Sequence, residues 1–281
     1  MLLAIAYTDI IERALLEDLG SGDITTEATV EAGAQAMAIA VARSPLVVCG
    51  GDVFCAVFKR LDASIQFESL VEDGQRVERG AHLWKLRGPA RAILMGERVA
   101  LNLTQRMSGV ATLTRAFVDA LPAGSPTRVV DTRKTTPGLR ALERYAVRVG
   151  GGRNHRDNLS SAVLIKDNHI VAAGGIESAV KRARERAPHT SRIEIEVANL
   201  AELDTALALG CEIIMIDNFS HADMLEAVKR GKGKAILEVS GGVKLDRIRD
   251  LASAGVDVIS AGALTHSAPA ADIALDMELV R

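Results

Sequence analysis

The sequence predicts an α/β protein whose larger part is an open or irregular barrel of six to seven parallel strands. After Pro126, short β-branched runs alternate with helical segments, which is the pattern of repeated βα units. Six runs fall short of the eight strands of a full (β/α)8 barrel, so we expect a barrel that does not close regularly, with a doubly wound sheet as the alternative. The runs are TRVVD, AVLIKD, RIEIEV, EIIMID, AILEVS and VDVIS.

A smaller α/β unit is predicted before the barrel. Residues 8–19 carry apolar side chains at helical spacing, and a loop rich in Gly, Ser and Thr follows. Three strand-like runs come next, with an amphipathic helix at 51–62 between the first two. These runs are 36–42, 65–71 and 82–86.

A long helix over 97–121, or two helices broken near Ser108-Gly109, leads into the βα repeats. We place the domain boundary near its start, giving an N-terminal domain of residues 1–105 and a catalytic barrel of residues 106–281. The C-terminal residues 270–281 are expected to pack onto the first domain.

The composition is that of a globular protein, with 48% hydrophobic and 25% charged residues among 281. A formal net charge of −2 gives no general attraction to nucleic acid or to an anionic membrane, and 3% aromatic residues argue against base-stacking surfaces. Any anion binding must therefore come from a local cluster of cations.

A cytoplasmic location is expected from the cysteines and the N-terminus. Cys49, Cys55 and Cys211 are odd in number and lack metal-ligand spacing, so we interpret them as buried thiols in a reducing compartment. The first residues lack a basic leading region and a cleavage site, and no stretch approaches membrane-spanning length.

Helix starts and strand ends have a distinct chemistry. Asn199 and Ser220 each stand three residues before an acidic residue, which predicts helix N-caps. The strands end in polar residues, which a βα barrel gathers on one face. Any one of them could instead cap a helix or pair locally, but six together favour an active site: Asp131, Lys166-Asp167, Glu196, Asp217, Glu238 to Ser240, and Ser260.

Cations are concentrated between the first two of these strands. Arg133 and Lys134 follow a strand directly, and Arg153 to Arg156 follow three glycines that permit close approach of a ligand. Because clustered cations repel, we expect them to bind a multiply charged anion, and paired arginines suit a planar dicarboxylate. Three arginines spaced four apart are interpreted as a solvated helix face: Arg140, Arg144 and Arg148.

Glu196 and Asp217 are the acidic counterparts of this cationic segment. They can accept hydrogen bonds from ribose hydroxyls or hold Mg²⁺ at a pyrophosphate, whereas a zinc site is not expected. The alternative is that each pairs with Lys or Arg. Two glycine loops, Ser240 to Gly242 and Ser260 to Ser267, follow the last two strands, where barrels often bind phosphate; His266 is interpreted as a loop residue.

Segments along nearly the whole chain resemble the quinolinate phosphoribosyltransferase family, the carboxylating nicotinate-nucleotide pyrophosphorylases. They are LEDLGSGDITTE, LNLTQRMSGVAT, DTRKTTPGLR, GGGRNHRDNL, LIKDNHI, EIEVAN, IMIDNF, LEVSGG and SAGALTHS. The resemblance implies a type II phosphoribosyltransferase fold, in which an N-terminal α/β sandwich accompanies the open barrel. It also implies a homodimer with shared active sites, whose reaction joins quinolinate to phosphoribosyl pyrophosphate with Mg²⁺ and releases carbon dioxide in NAD biosynthesis.

The resemblance also implies a role for individual residues. Arg106 would reach the partner subunit's site, and Lys134, Lys166, Glu196 and Asp217 would act in catalysis, the last two near Mg²⁺. The quinolinate pocket would be lined by Arg133, Lys134, His155, Arg156 and Lys166, and phosphate would be held by Ser240, Gly241, Gly242, Ala261 and Gly262.

Two positions depart from the family pattern, and two other functions stay open. Asn158 stands where glycine is common, and because asparagine tolerates a left-handed backbone the loop is expected to keep its shape. Ser161 stands where an acidic residue is common, which we expect to alter the hydrogen bonding behind Lys166. Lys166 could instead be the Schiff-base lysine of an aldolase-like barrel. A paralogue serving molybdate transport is the other alternative, for which we would expect degraded NHR and KDNH motifs, whereas both are intact.

Overall fold

The computed structural model describes residues 2–280, which form two compact units. The first unit runs to Arg115 and adds Thr135–Gly151 and the chain from Ser267 onward. The second comprises Ala116–Lys134 and Gly152–His266. The segment Thr135–Gly151, which the sequence analysis assigned to the barrel, therefore lies in the first unit.

The first unit contains an antiparallel sheet with strand order β12-β1-β5-β3 and a short β2-β4 ribbon. The C-terminal strand pairs with β1 from Ala36, opposite Leu279, to Ala42, opposite Ile273. The strands are β1 (Gln35–Ala42), β2 (Leu46–Val47), β3 (Gln66–Ser69), β4 (Arg76–Val77), β5 (His82–Pro89) and β12 (Ile273–Leu279); the helices are α1 (Thr8–Leu19), α2 (Ile24–Thr29), α3 (Gly51–Leu61), α5 (Arg140–Val149) and the first part of α4 (Ala90–Asp119).

The core of this unit is built on the apolar face of α3. Phe54 and Phe58 are fully buried, and the Phe54 ring lies 4.7 Å from that of Trp84 on β5. Each such side chain contributes about 1.5–3 kcal/mol by leaving water. The cysteines are free; Cys49 and Cys211 are buried as expected, whereas Cys55 is partly exposed.

Helix α4 continues through Ser108 and Gly109, so the predicted break is wrong. Gly109 serves close packing instead, because a Cβ there would lie 2.0 Å from the Pro269 carbonyl oxygen. Ser108 is fully buried, and its Oγ accepts a hydrogen bond from the Cys49 backbone N–H at 3.1 Å. Both residues that suggested a break are small because neighbouring backbone approaches the helix.

The second unit is a parallel sheet of six strands within the described residues, in the order β6-β11-β10-β9-β8-β7. Every one of the six predicted runs forms one of these strands, which confirms the open α/β barrel. Arg153 makes a single parallel bridge to Val130 beside the end strand β6. The elements are β6 (Arg128–Val130), β7 (Val163–Ile165), α6 (Asp167–Ala173), α7 (Ile176–Arg186), β8 (Ile193–Val197), α8 (Leu200–Ala208), β9 (Ile213–Asp217), α9 (His221–Gly231), β10 (Ile236–Ser240), α10 (Ile248–Ala254), β11 (Val258–Ser260) and α11 (Ala263–His266).

Helix starts in this unit follow the predicted capping chemistry. Asn199 Oδ1 accepts from the Glu202 N–H at 3.0 Å, and Ser220 Oγ accepts from the Asp223 N–H at 3.1 Å. Glu202 also accepts from the Ala198 N–H at 2.8 Å, which completes a reciprocal cap on α8. Across residues 2–280, no helix is both long and apolar enough to cross a membrane.

Removal of the α8 cap should have a measurable cost. We expect Asn199→Ala to lower the free energy of unfolding by about 1 kcal/mol, because the first-turn N–H groups lose their acceptor. Urea denaturation followed by circular dichroism measures this difference. An unchanged midpoint would show that water replaces the cap without penalty.

Candidate active site

Polar side chains collect at the C-terminal edge of the parallel sheet. Ser240 at the end of β10 lies directly beside Asp217 at the end of β9, and Ser260 lies beside Val130 in the same way. Lys166 follows β7 and precedes α6. Since all six strands are parallel, their C-terminal ends lie on one face of the barrel.

Lys166 and Glu196 form an ion pair on this face. The Lys166 side chain is 43% exposed and that of Glu196 is 16% exposed. A Schiff-base lysine is activated by an apolar pocket or by a neighbouring cation, whereas Lys166 faces water and a carboxylate. This environment does not favour the aldolase alternative.

The loops after β6 and β11 meet at Lys134. The Lys134 carbonyl oxygen accepts from Thr265 Oγ1 at 2.8 Å, and a Cβ on Gly262 would lie 3.0 Å from Lys134 Cδ. Glycine at 262 therefore leaves room for the lysine side chain, whose residue is exposed. The Ala261 N–H donates to the Val130 carbonyl, so it is already used within the sheet rather than by a ligand.

Arg133 and Arg156 are close enough to repel each other. Burial lowers the pKa of the Arg156 guanidinium, and the nearby positive charge of Arg133 lowers it further. Both side chains are partly buried, so water screens this repulsion incompletely. An anion bound between them would relieve it, and two guanidinium groups match the two carboxylates of a planar dicarboxylate.

Asp131 fixes the loop that carries His155 and Arg156. Its fully buried carboxylate accepts from the His155 N–H at 2.7 Å and from Asn154 Nδ2 at 2.6 Å. The Arg156 guanidinium donates from Nη1 to the Ala162 carbonyl at 3.2 Å. The strand-end acid thus holds the backbone of the cationic loop.

His155 has both ring nitrogens engaged inside the protein. Its Nδ1 accepts from the Arg156 N–H at 2.7 Å, and its Nε2 lies 3.2 Å from the Glu194 carboxylate and 3.5 Å from that of Glu238. Burial lowers the pKa of His155, but the Glu194 hydrogen bond and the charges of Glu238, Glu194 and Asp131 together raise it. His155 therefore acts in this structure on the loop itself.

The glycine loop after β10 adjoins the Asp217 carboxylate. A Cβ on Gly241 would lie 2.6 Å from Asp217 Oδ1, so only glycine fits, and Gly241 and Gly242 both have positive φ. A cavity of about 220 Å³ opens here and is lined by Asn218, His221, Ser240, Gly241, Gly242 and Arg247. Apolar residues complete the lining, but most of the surface exposed to the cavity is polar, which suits a phosphate group.

Arg106 is held within the first unit. Its Nε and Nη2 donate to Glu143 at 2.9 and 2.8 Å, and its Nη1 donates to the Ala268 carbonyl at 2.7 Å. Glu143 is fully buried and also accepts from the N–H and hydroxyl of Thr136. The reach of Arg106 into a partner subunit's site stays a prediction.

The arginines of α5 are not uniformly solvated. Arg148 is exposed and lies 5.6 Å from the ring centroid of Tyr145, as expected of a surface residue. Arg140 and Arg144 are partly buried, and Arg140 Nε donates to Thr135 Oγ1 at 3.0 Å. The interpretation as a solvated face is therefore wrong for these two, because α5 turns them toward protein.

Asn158 does not use the left-handed backbone that asparagine tolerates. Among residues 2–280, the non-glycine residue with positive φ is Asn218. The Asn158 side chain instead accepts from the Ser160 N–H at 3.0 Å, and Ser161 Oγ accepts from the Asp157 N–H at 3.0 Å. Side-chain hydrogen bonds thus shape this loop.

Sequence reasoning missed two buried acids, Glu143 and Glu194, and placed Glu238 among the strand-end residues without giving it a role of its own. The alternation in IEIEV could have identified Glu194, since side chains two apart on a strand share a face and Glu196 was already assigned to the site. Glu238 has the same relation to Ser240. Glu143 carried no such signal, because it lies among helix arginines.

An open parallel barrel with cations, carboxylates and glycine loops at its strand ends defines an enzyme that binds phosphorylated anions. The family models for quinolinate phosphoribosyl transferase match the chain over residues 23–108 (N-terminal domain) and 110–276 (C-terminal domain). The chain therefore belongs to the quinolinate phosphoribosyl transferase family.

Similar proteins agree over the full length. The nicotinate-nucleotide pyrophosphorylase (carboxylating) of Mycobacterium leprae is 45% identical, covering 97% of each chain. The crystal structure of NadC from Streptococcus pyogenes superimposes with a TM-score of 0.96 at 39% identity, covering 100% of this chain and 99% of that one. The nicotinate-nucleotide pyrophosphorylase structure from Francisella tularensis gives 0.94 at 40% identity, covering 99% and 98%.

Proposed function

We propose that this protein is a decarboxylating quinolinate phosphoribosyltransferase. It converts quinolinate and phosphoribosyl pyrophosphate to nicotinate mononucleotide, pyrophosphate and carbon dioxide, a step of NAD biosynthesis. The observation that carries the proposal is the placement of Arg133 and Arg156 beside the strand-end face, near enough for the charge of one to lower the pKa of the other. Two neighbouring guanidinium groups match the two carboxylates of a pyridine dicarboxylate. The family and its similarly named relatives support the same reaction.

The mechanism follows from charge placement. Arg133, Lys134 and Arg156 bind the two carboxylates and orient the pyridine nitrogen toward the ribosyl carbon. As pyrophosphate leaves, positive charge develops on that carbon, and the carboxylates of Glu196 and Asp217 stabilise it. The ribosylated ring is cationic, so it stabilises the carbanion formed when the adjacent carboxylate leaves as carbon dioxide. A proton from water then takes the place of that carboxylate on the ring carbon and gives nicotinate mononucleotide. Catalysis rests on positioning and electrostatics, without a covalent enzyme intermediate.

Magnesium fits the acidic side of this site. Glu196 and Asp217 supply carboxylate oxygens from neighbouring strands, the ligand type that Mg²⁺ prefers, directly or through water. The ion would neutralise the pyrophosphate of the co-substrate. Lys166 then exchanges its contact with Glu196 for the anionic substrates, and the loop of Ser240 to Gly242 holds phosphate with backbone N–H groups.

The assembly and location are part of the proposal. We infer a homodimer in which Arg106 completes the partner subunit's site, and a cytoplasmic enzyme, since its three cysteines are free. An accessory role in molybdate transport is not favoured, because the cations and carboxylates expected for catalysis are all present.

Carbon dioxide release tests the reaction directly. We expect quinolinate that is labelled in the carboxylate next to the ring nitrogen to release labelled carbon dioxide when phosphoribosyl pyrophosphate and Mg²⁺ are both supplied. No release is expected when either is omitted. Release is measured by trapping the gas. No release with all components present would refute the proposed function.

A further inference from the structure

Three titratable groups lie together inside the barrel, and the mechanism above uses none of them. We call His155, Glu194 and Glu238 the His155 cluster; their ligand atoms lie within 4.8 Å of one another. The side chains of both glutamates are 4% exposed and that of His155 is 13% exposed. Glu238 Oε1 is buried and has no hydrogen-bond partner within residues 2–280.

The tautomer of His155 follows from its hydrogen bonds. The Arg156 N–H donates to Nδ1 at 2.7 Å, so Nδ1 presents a lone pair and the ring hydrogen is on Nε2. The Nε2 atom that carries this hydrogen lies 3.2 Å from a carboxylate oxygen of Glu194 and 3.5 Å from one of Glu238. One N–H therefore faces two buried acids.

A proton fits this cluster better than a metal ion. A metal would need the Nε2 lone pair, and a metal-bound histidine normally donates from its other ring nitrogen. Here the other nitrogen accepts a hydrogen bond, which would make the bound ring an anion. Two buried carboxylates around one neutral ring are more simply accommodated when one of them is protonated.

The charges around Glu238 favour it as the protonated group. Burial, and then the charge of Glu194, raise the pKa of Glu238 to about 7, against smaller lowering effects of His155, Ser260 and Lys166. Asp131 faces His155 from the end of β6. The upward shift of the His155 pKa depends partly on a charged Glu238, so it weakens once Glu238 holds the proton.

We propose that Glu238 carries a buried proton in weakly acidic solution, and that Glu194 and Glu238 are positioning residues that hold His155 as its Nε2–H tautomer and thereby fix the backbone of Arg156 in the anion pocket. The positioning role rests on the proposed function, whereas the location of the proton does not.

The effect of Glu238 ionisation on the stability of the fold has a defined sign. Its folded pKa is raised, so the stability linked to its proton is full below its unfolded pKa and is lost as pH rises through about 7. Above that pH a further buried negative charge stands behind the cationic loop. We expect the KM for quinolinate to rise roughly tenfold between pH 6 and pH 8.5, with a smaller change in kcat, because like charge opposes a dicarboxylate.

Infrared difference spectroscopy of the free protein tests where the proton is. At pH 6 we expect the carbonyl band of a protonated carboxylic acid, which disappears with a midpoint near 7 and is missing in Glu238→Gln. The matched control is Glu177→Gln, on an exposed residue of α7, which should keep the band. Isotope-labelled glutamate in the wild type gives the same answer by NMR if Glu238→Gln does not fold.

Three outcomes would overturn the proposal: no carboxylic acid signal from Glu238 at pH 6, a doubly protonated His155 ring by NMR at neutral pH, or a tightly bound metal ion that is lost in Glu238→Gln and is therefore held by the His155 cluster. A KM for quinolinate that rises with pH equally in Glu238→Gln and the wild type would remove the positioning role. Absence of turnover with the band present would count against the proposed function alone.

Discussion

Replacing Arg133 with alanine is expected to lower kcat/KM for quinolinate by roughly 10²–10³-fold, the usual cost of removing one group that stabilises substrate or transition-state charge. The reason is geometric. Arg133 lies near enough to Arg156 for its charge to lower the pKa of Arg156. We expect each guanidinium to bind one carboxylate of quinolinate, so the removal of Arg133 leaves one carboxylate without its partner. Steady-state kinetics at saturating phosphoribosyl pyrophosphate and Mg²⁺ measures the effect.

Two variants make this test specific. Arg133→Lys keeps the charge but loses the bidentate fork, so its kcat/KM should lie between those of the wild type and Arg133→Ala. Arg148→Ala removes an exposed arginine of the same cationic segment and should leave kcat/KM near that of the wild type. If Arg133→Ala is folded by circular dichroism and as active as Arg148→Ala, Arg133 does not bind the substrate.

The barrel was predictable because its signal is local. Each parallel strand is buried on both faces and therefore appears as an uninterrupted apolar run such as EIIMID, and its polar end marks the edge where the loops emerge. Asp217 and Ser240 could be placed side by side on this reasoning alone. Helix capping was equally local, since Asn199 needs only a residue three positions away.

Features that depend on distant segments were not predictable in this way. Gly109 suggested a helix break, but glycine is needed there because the backbone of Pro269, 160 positions further along the chain, packs against the helix. Glu143 is a second example. The sequence pattern of a charged residue in an arginine-rich helix predicts an exposed position, whereas its partner Arg106 lies on another helix. Only tertiary packing distinguishes such a residue from a solvated one.

Replacing Glu143 with alanine is expected to lower the free energy of unfolding by about 3–5 kcal/mol, because it leaves the largely buried guanidinium of Arg106 without its counter-charge. Glu143 accepts four hydrogen bonds, two from Arg106 and two from Thr136, and all four would be lost. Urea denaturation measures the change. The pair of Arg230 with the exposed Asp204 is the control, and Asp204→Ala should cost no more than about 1 kcal/mol.

A double variant separates stability from function. Replacing Arg106 with methionine and Glu143 with leucine removes both charges together, and such exchanges of a buried ion pair are often neutral or stabilising. We therefore expect the double variant to regain most of the stability that Glu143→Ala loses. If Arg106 also completes the partner subunit's site, the double variant will be folded but poorly active. Full activity in a folded double variant would show that the pair serves the first unit alone.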